Sequence, residues 1–139
     1  MNDVLFEYYS DALTIEADIV EREREKSFNM YFDNNEYLHK IYVKALQQHF
    51  EKLKEQWLLD TRFNSNNFLS TQHSAYLKIV SLGESVVPFM LNDLVKNKTH
   101  WFMALSTLTG TNPIQEQNSG KVNEMIGDWV RWGKQNGMI

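Results

Sequence analysis

The chain of 139 residues is long enough for one domain with its own core, and 42% hydrophobic and 13% aromatic residues mark it as globular rather than disordered. It has no cysteine, which excludes disulfides, thiolate metal sites, iron–sulfur clusters and a cysteine nucleophile. The net charge of −4 is uneven: residues 1–60 hold 7 basic and 13 acidic side chains, a balance of −6, and residues 61–139 hold 7 and 5, a balance of +2.

An acidic first half suits nucleic acid poorly, because phosphate binding depends on clustered Lys and Arg. The opening MNDVLFEYYSDAL carries acids where a signal peptide carries lysines, and no apolar run approaches the roughly 18–20 residues that span a bilayer. The chain therefore reads as a cytoplasmic protein with no membrane segment. With two prolines and six glycines the punctuation is sparse, as helices prefer.

From Asp3 to about Lys26, Leu5, Tyr8, Ala12, Ile15 and Ile19 recur at spacings of three and four, one stripe of an amphipathic helix. Its end, Glu21-Arg22-Glu23-Arg24-Glu25-Lys26, alternates in sign and reads as a solvated face. Asp33-Asn34-Asn35 is turn-prone and suited to capping a second helix, Glu36 to Leu59, whose stripe includes Leu38, Ile41, Tyr42, Leu46, Phe50, Leu53 and Trp57. The expectation is an antiparallel helical hairpin over residues 1–60. Its rival is a single long interrupted helix used to form a homodimer.

Arg62 to Ser70 is rich in Asn and Ser, has no helical period and reads as a linker. Four shorter helices are expected after it. The third, Thr71 to Leu82, stops at Gly83; the fourth, Glu84 to Asn97, tolerates Pro88 in its first turn. The fifth, His100 to Thr109, has Thr99 as expected N-cap, an apolar make-up that demands burial, and Gly110 at its end. The loop 111–120 precedes the sixth, Lys121 to Gln135, which carries Val122, Met125, Ile126, Trp129 and Val130 on one side. The class is all-α in a single domain: a hairpin, then two short helix pairs, forming a compact bundle or a minimal HEAT-like α-solenoid.

No stretch carries a catalytic signature. Ser70, Ser74, Ser81 and Ser85 lack the GxSxG setting, and Gly83 and Gly110 belong to no phosphate loop. His39 and His49 lie about 15 Å apart by helical rise, too far to share an ion. His73 and His100 open two helices that could be neighbours, which makes them the candidate pocket, with Glu84 or Asp93 as a third ligand if a metal were held. No HExxH, HxH or DxD spacing supports a metal, and neither metal nor cofactor is expected. Trp101 and Trp129 read as core anchors. Trp132, with Arg131 and Lys134, is the candidate contact patch, since Trp and Arg dominate protein interfaces.

The stretches WLLDTRFNSN from Trp57, HSAYLKIVSLGESVVPFML from His73, HWFMALSTLTGTNPI from His100 and WVRWGKQNG from Trp129 together resemble a family of small uncharacterised bacterial proteins. That family has the ordered motifs W..T.F.S, H.AY..I...G....P.iL, HWF.AL..iTG..P and W..WG. The resemblance covers about residues 57–137 and implies a compact helical domain. Asn66 and Asn67 stand after Ser65, where a second Ser is common, and the acidic first 60 residues precede the shared part.

The functional expectation is a non-enzymatic protein-interaction module, a regulatory or antitoxin-like partner of a neighbouring gene product. The first alternative is an enzyme or ligand-binding protein with a His73/His100 pocket. The weaker one is nucleic-acid binding through Arg62, Lys121, Arg131 and Lys134.

Overall fold

The computed structural model describes the backbone of residues 2–139 and the side-chain environments of residues 11, 13–30 and 33–139. Leu5, Tyr8 and Ala12 of the first stripe have side chains outside the described residues. Among the described residues all regular structure is helical: α1 Asn2–Thr61, α2 Asn67–Thr71, α3 Ser74–Ser81, α4 Val87–Asn97, α5 Phe102–Thr109 and α6 Val122–Gln135. Short 3-10 turns cover Glu84–Val86 and Glu116–Asn118. The chain divides into two compact units, residues 1–43 and 44–139, so α1 contributes to both.

The expected hairpin does not form, because Asp33-Asn34-Asn35 lies inside α1. Asp and Asn each cost roughly 0.5–0.7 kcal/mol in a helix relative to Ala, which makes a weak spot and not a stop. A stop needs a proline or a favourable left-handed residue, and no glycine or proline occurs before Gly83.

The expected linker also differs. Asn66 caps α2: its Oδ1 accepts hydrogen bonds from the amides of Phe68 at 3.0 Å and Leu69 at 3.4 Å. The helix expected from Thr71 instead restarts at α3, with His73 as its cap. Gly83, at φ +86°, then turns the chain, and the axes on either side of it meet at 102°. Pro88 sits in the first turn of α4, as expected. Thr99 does not cap α5; it is buried and bonded to Asp93, and Trp101 takes the cap position. Gly110, in the left-handed conformation at φ +66°, closes α5.

In the second unit, Phe50, Leu53 and Trp57 of α1 meet Tyr76 and Ile79 of α3, Met90, Leu91 and Leu94 of α4, Leu105 of α5 and Trp129 of α6 in one core. α3 packs on α5, and α4 packs on both α5 and α6. Trp101 is the hub. Its ring centroid lies 5.0 Å from that of Trp57, 5.4 Å from Phe50 and 5.7 Å from Tyr76. The Tyr76 hydroxyl accepts a hydrogen bond from the amide of Ala104 at 3.0 Å, which fixes the start of α5 against α3. Burial of this phenol pushes its pKa up to about 12.

Candidate functional site

The first unit presents apolar side chains to solvent. Ile15, Ile19, Tyr37 and Ile41 are 59%, 53%, 63% and 48% exposed, and Leu13, Val20, Met30, Leu38 and Tyr42 are exposed as well. Scattered exposed apolar residues are ordinary; this many on a single helix are not. The ion pairs beside them, Lys26 to Glu23 at 3.3 Å and Lys40 to Glu36 at 3.1 Å, are fully solvated and contribute a few tenths of a kcal/mol each.

His73 holds a structural position. The amide of Ala75 donates to its Nδ1 at 3.0 Å, so the proton of the neutral ring is on Nε2, which donates to Asp60 Oδ2 at 3.0 Å. Both ring nitrogens are thus used in capping α3 and tying it to α1. His100 is exposed, with its ring edge-on to Phe102 at 5.8 Å, and lines two shallow clefts. One, of about 340 Å³, is bordered by Thr61, Arg62, Asn64, Asn67 and Asn97; the other, of about 270 Å³, by Asn67, Phe68, Phe102 and Met103. His73 lines neither cleft.

Of the proposed contact patch, Lys134 is exposed and Trp132 is half-buried, edge-on to Trp129 at 5.4 Å. The Arg131 guanidinium lies 3.2 Å from Asp128 Oδ1. The Asp128 carboxylate also accepts from Asn118 Nδ2 at 2.9 Å and the amide of Gln115 at 3.0 Å, pinning the loop ahead of α6. Asn118 first, then the Gln115 amide and Arg131, hold its pKa below the usual carboxylate range against the opposing effect of burial. Of the cations considered for nucleic acid, Arg62 stacks its guanidinium 4.8 Å from the Phe63 ring, and Lys121 is exposed at the start of α6.

Sequence reasoning gave Asp93 a role only as a third metal ligand, and the structure makes it the buried electrostatic centre of the second unit. Its Oδ1 accepts from Lys54 Nζ at 2.9 Å and Asn97 Nδ2 at 2.6 Å, and its Oδ2 from Trp101 Nε1 at 2.8 Å. Burial alone would raise its pKa, but Lys54, Thr99, Asn97 and Trp101 outweigh that and lower it. Burial likewise works against the charge on Lys54, and Glu51 and Asp93 more than restore it, so its pKa is raised. The signal available in the sequence was the i,i+4 spacing of Asp93 and Asn97 ahead of Trp101; its partner Lys54 is 39 residues away and carries no local cue.

Among the described residues no group of three His, Cys, Asp or Glu side chains is placed to hold a metal ion, and no single helix is long and apolar enough to cross a membrane. Comparison with protein-family models, curated proteins and solved structures finds no match to this chain.

Proposed function

We propose that the chain is a non-enzymatic protein-interaction module of the cytoplasm, a regulatory or antitoxin-like partner of a neighbouring gene product, docking through the first unit of α1. The observation that carries this reading is the exposed set Ile15, Ile19, Tyr37 and Ile41 on a helix in whose unit no described residue covers it. Burying such a set removes apolar surface from water at roughly 25 cal/mol per Å², the driving force of most association between proteins. The two hydrogen bonds of His73 and the ion pair of Arg131 support placing the contact surface on α1 rather than at a His73 pocket or the α6 edge.

The test is co-expression with the products encoded beside its gene, followed by pull-down with the wild-type chain and with an Ile19→Asp/Ile41→Asp variant. The expected result is a stoichiometric complex with the wild type, weakened at least tenfold in the variant, while the second unit melts at an unchanged temperature. Equal retention by the variant, or no protein bound by the wild type with a second copy of itself counted, would refute the proposal.

A second reading, a small-ligand site at the two clefts that meet at His100 and Asn67, draws on their mainly apolar surfaces and on the Arg62 and Asn side chains that border one of them. Its test is a ligand-library thermal-shift screen, in which a hit must be lost on His100→Ala.

A further inference from the structure

We infer that the occupant of the exposed α1 face is a second copy of this chain, running antiparallel and centred on position 28; this rests on the docking role proposed above. The spacing of the exposed side chains and the charges beside them both support this pairing. Ile15, Lys26 and Tyr37 follow one another at intervals of eleven, as do Ile19, Met30 and Ile41. Eleven residues make three turns of a nearly straight α-helix, so the two sets form one seam about 39 Å long from residue 15 to residue 41. The four apolar side chains at its ends are the half-exposed ones already described.

The seam is palindromic. In an antiparallel pair centred on position 28, residues whose numbers add to 56 share a layer. Ile15 then lies beside Ile41 of the second copy, Ile19 meets its Tyr37, and Lys26 lies beside its Met30. Each of these layers occurs twice by the two-fold symmetry, and the apolar residues at the two ends cover one another.

The charges along the seam fit the same register. On the flank that holds Arg22, the neighbours across the interface are Asp33 and Glu36 of the second copy, and Asp18 comes beside its Lys40. All three contacts are between opposite charges and all are doubled by symmetry; at similar offsets Glu25 comes beside Asp33 and Asp18 beside Glu36 of the second copy, two like-charge contacts. Glu23 shares a layer with Asp33 of the second copy, a like-charge contact, but that Asp33 sits between Arg22 and Lys26. A parallel in-register pair would set Lys26 against Lys26 within the seam, which disfavours it. The existing Lys26–Glu23 and Lys40–Glu36 pairs are solvated and give up little on rearrangement.

The absence of cysteine makes the test clean. Ile15→Cys and Ile41→Cys chains are prepared separately and oxidised alone and as a mixture, and the mass of the wild-type chain is measured by light scattering at about 100 µM. The expected results are a two-chain mass, a disulfide between the two variants in the mixture, and none in either variant alone. Arg22→Glu should weaken the dimer about tenfold, and combining it with Asp33→Arg and Glu36→Arg should restore it.

A disulfide within either variant alone, or failure of the combined charge swap to restore association, overturns the antiparallel register. A one-chain mass overturns the second copy as occupant and points to a basic helix of another protein, attracted by the −6 charge of residues 1–43. The docking role itself falls separately, if the Ile19→Asp/Ile41→Asp chain keeps every protein association of the wild type or if the wild type binds no protein at all.

Discussion

Replacing Asp93 by alanine isolates the buried polar centre of the second unit. The change leaves the fully buried Nε1 of Trp101 without its acceptor, at a cost of about 1–3 kcal/mol for a stranded donor. It also removes one of two counter-charges from Lys54, whose side chain is only 13% exposed. Lys54 keeps Glu51 at 2.8 Å, so this part of the loss falls short of the 3–5 kcal/mol typical of a buried ion left alone, and about 1–2 kcal/mol is expected. Together they come to about 2–5 kcal/mol, with a mid-range of about 3–4 kcal/mol, a large share of the roughly 5–15 kcal/mol that holds a domain together. In urea, with a slope of about 1–1.5 kcal/mol per M, the midpoint followed by tryptophan fluorescence should fall by roughly 2–4 M. Pairing Asp93→Leu with Lys54→Met should recover only the Lys54 part, about 1–2 kcal/mol, because neither charge is then stranded while Trp101 Nε1 still lacks an acceptor. A midpoint shift below about 0.5 M for Asp93→Ala would show that the network contributes little and refute the reasoning.

Four further outcomes follow from the same geometry. The raised pKa of Tyr76 means that the stability it contributes is complete below about pH 10 and lost as pH rises through about 12; Tyr76→Phe should abolish that part of the alkaline transition, read by circular dichroism across pH 9–12.5. Asp93 has the opposite sign, its contribution being complete above roughly pH 5 and lost as pH falls through 4 toward its lowered folded value, so acid unfolding of Asp93→Asn should be flatter over that range. Trp129 Nε1 is buried with no protein acceptor, whereas Trp101 Nε1 donates to Asp93, so Trp101→Phe should cost at least about 1 kcal/mol more than Trp129→Phe in chemical denaturation; equal costs would contradict the assigned bond. His73→Ala should cost about 1 kcal/mol through the lost cap of α3, and His73→Asn, which can still cap, less than half of that.

What the sequence made legible was periodic or punctuated. The stripe of α6, the stops at Gly83 and Gly110, the first-turn place of Pro88 and the burial of Trp101 and Trp129 all stand in the structure, because each rests on local sterics or a single apolar face. The hairpin was misread because Asp33-Asn34-Asn35 has turn chemistry without a residue that forces a turn. The cap at Asn66 was open to reading, since Asn leads the N-cap preferences, but the polar run around it hid a helix of five residues. For the candidate site, His73 was picked out for its chemistry and turned out to be a cap tied to Asp60, a partner 13 residues away. The hub at Asp93 needs Lys54 from a different helix, and no spacing rule reaches that far.

The position of Trp101 also sets an order of events during synthesis. The core face of α1 leaves the ribosome first, and Phe50 and Trp57 share the aromatic partner Trp101, 44 residues or more downstream of them, Trp57 meeting Tyr76 as well at 4.9 Å. At translation rates of roughly 5–20 residues per second, the interval between Trp57 and Trp101 is roughly 2–9 s. Throughout it the nascent helix carries two apolar regions without cover, the seam of the first unit and the unfilled half of the core. The seam as proposed needs only another copy of residues 15–41, so chains on one polysome can pair before either has closed its core.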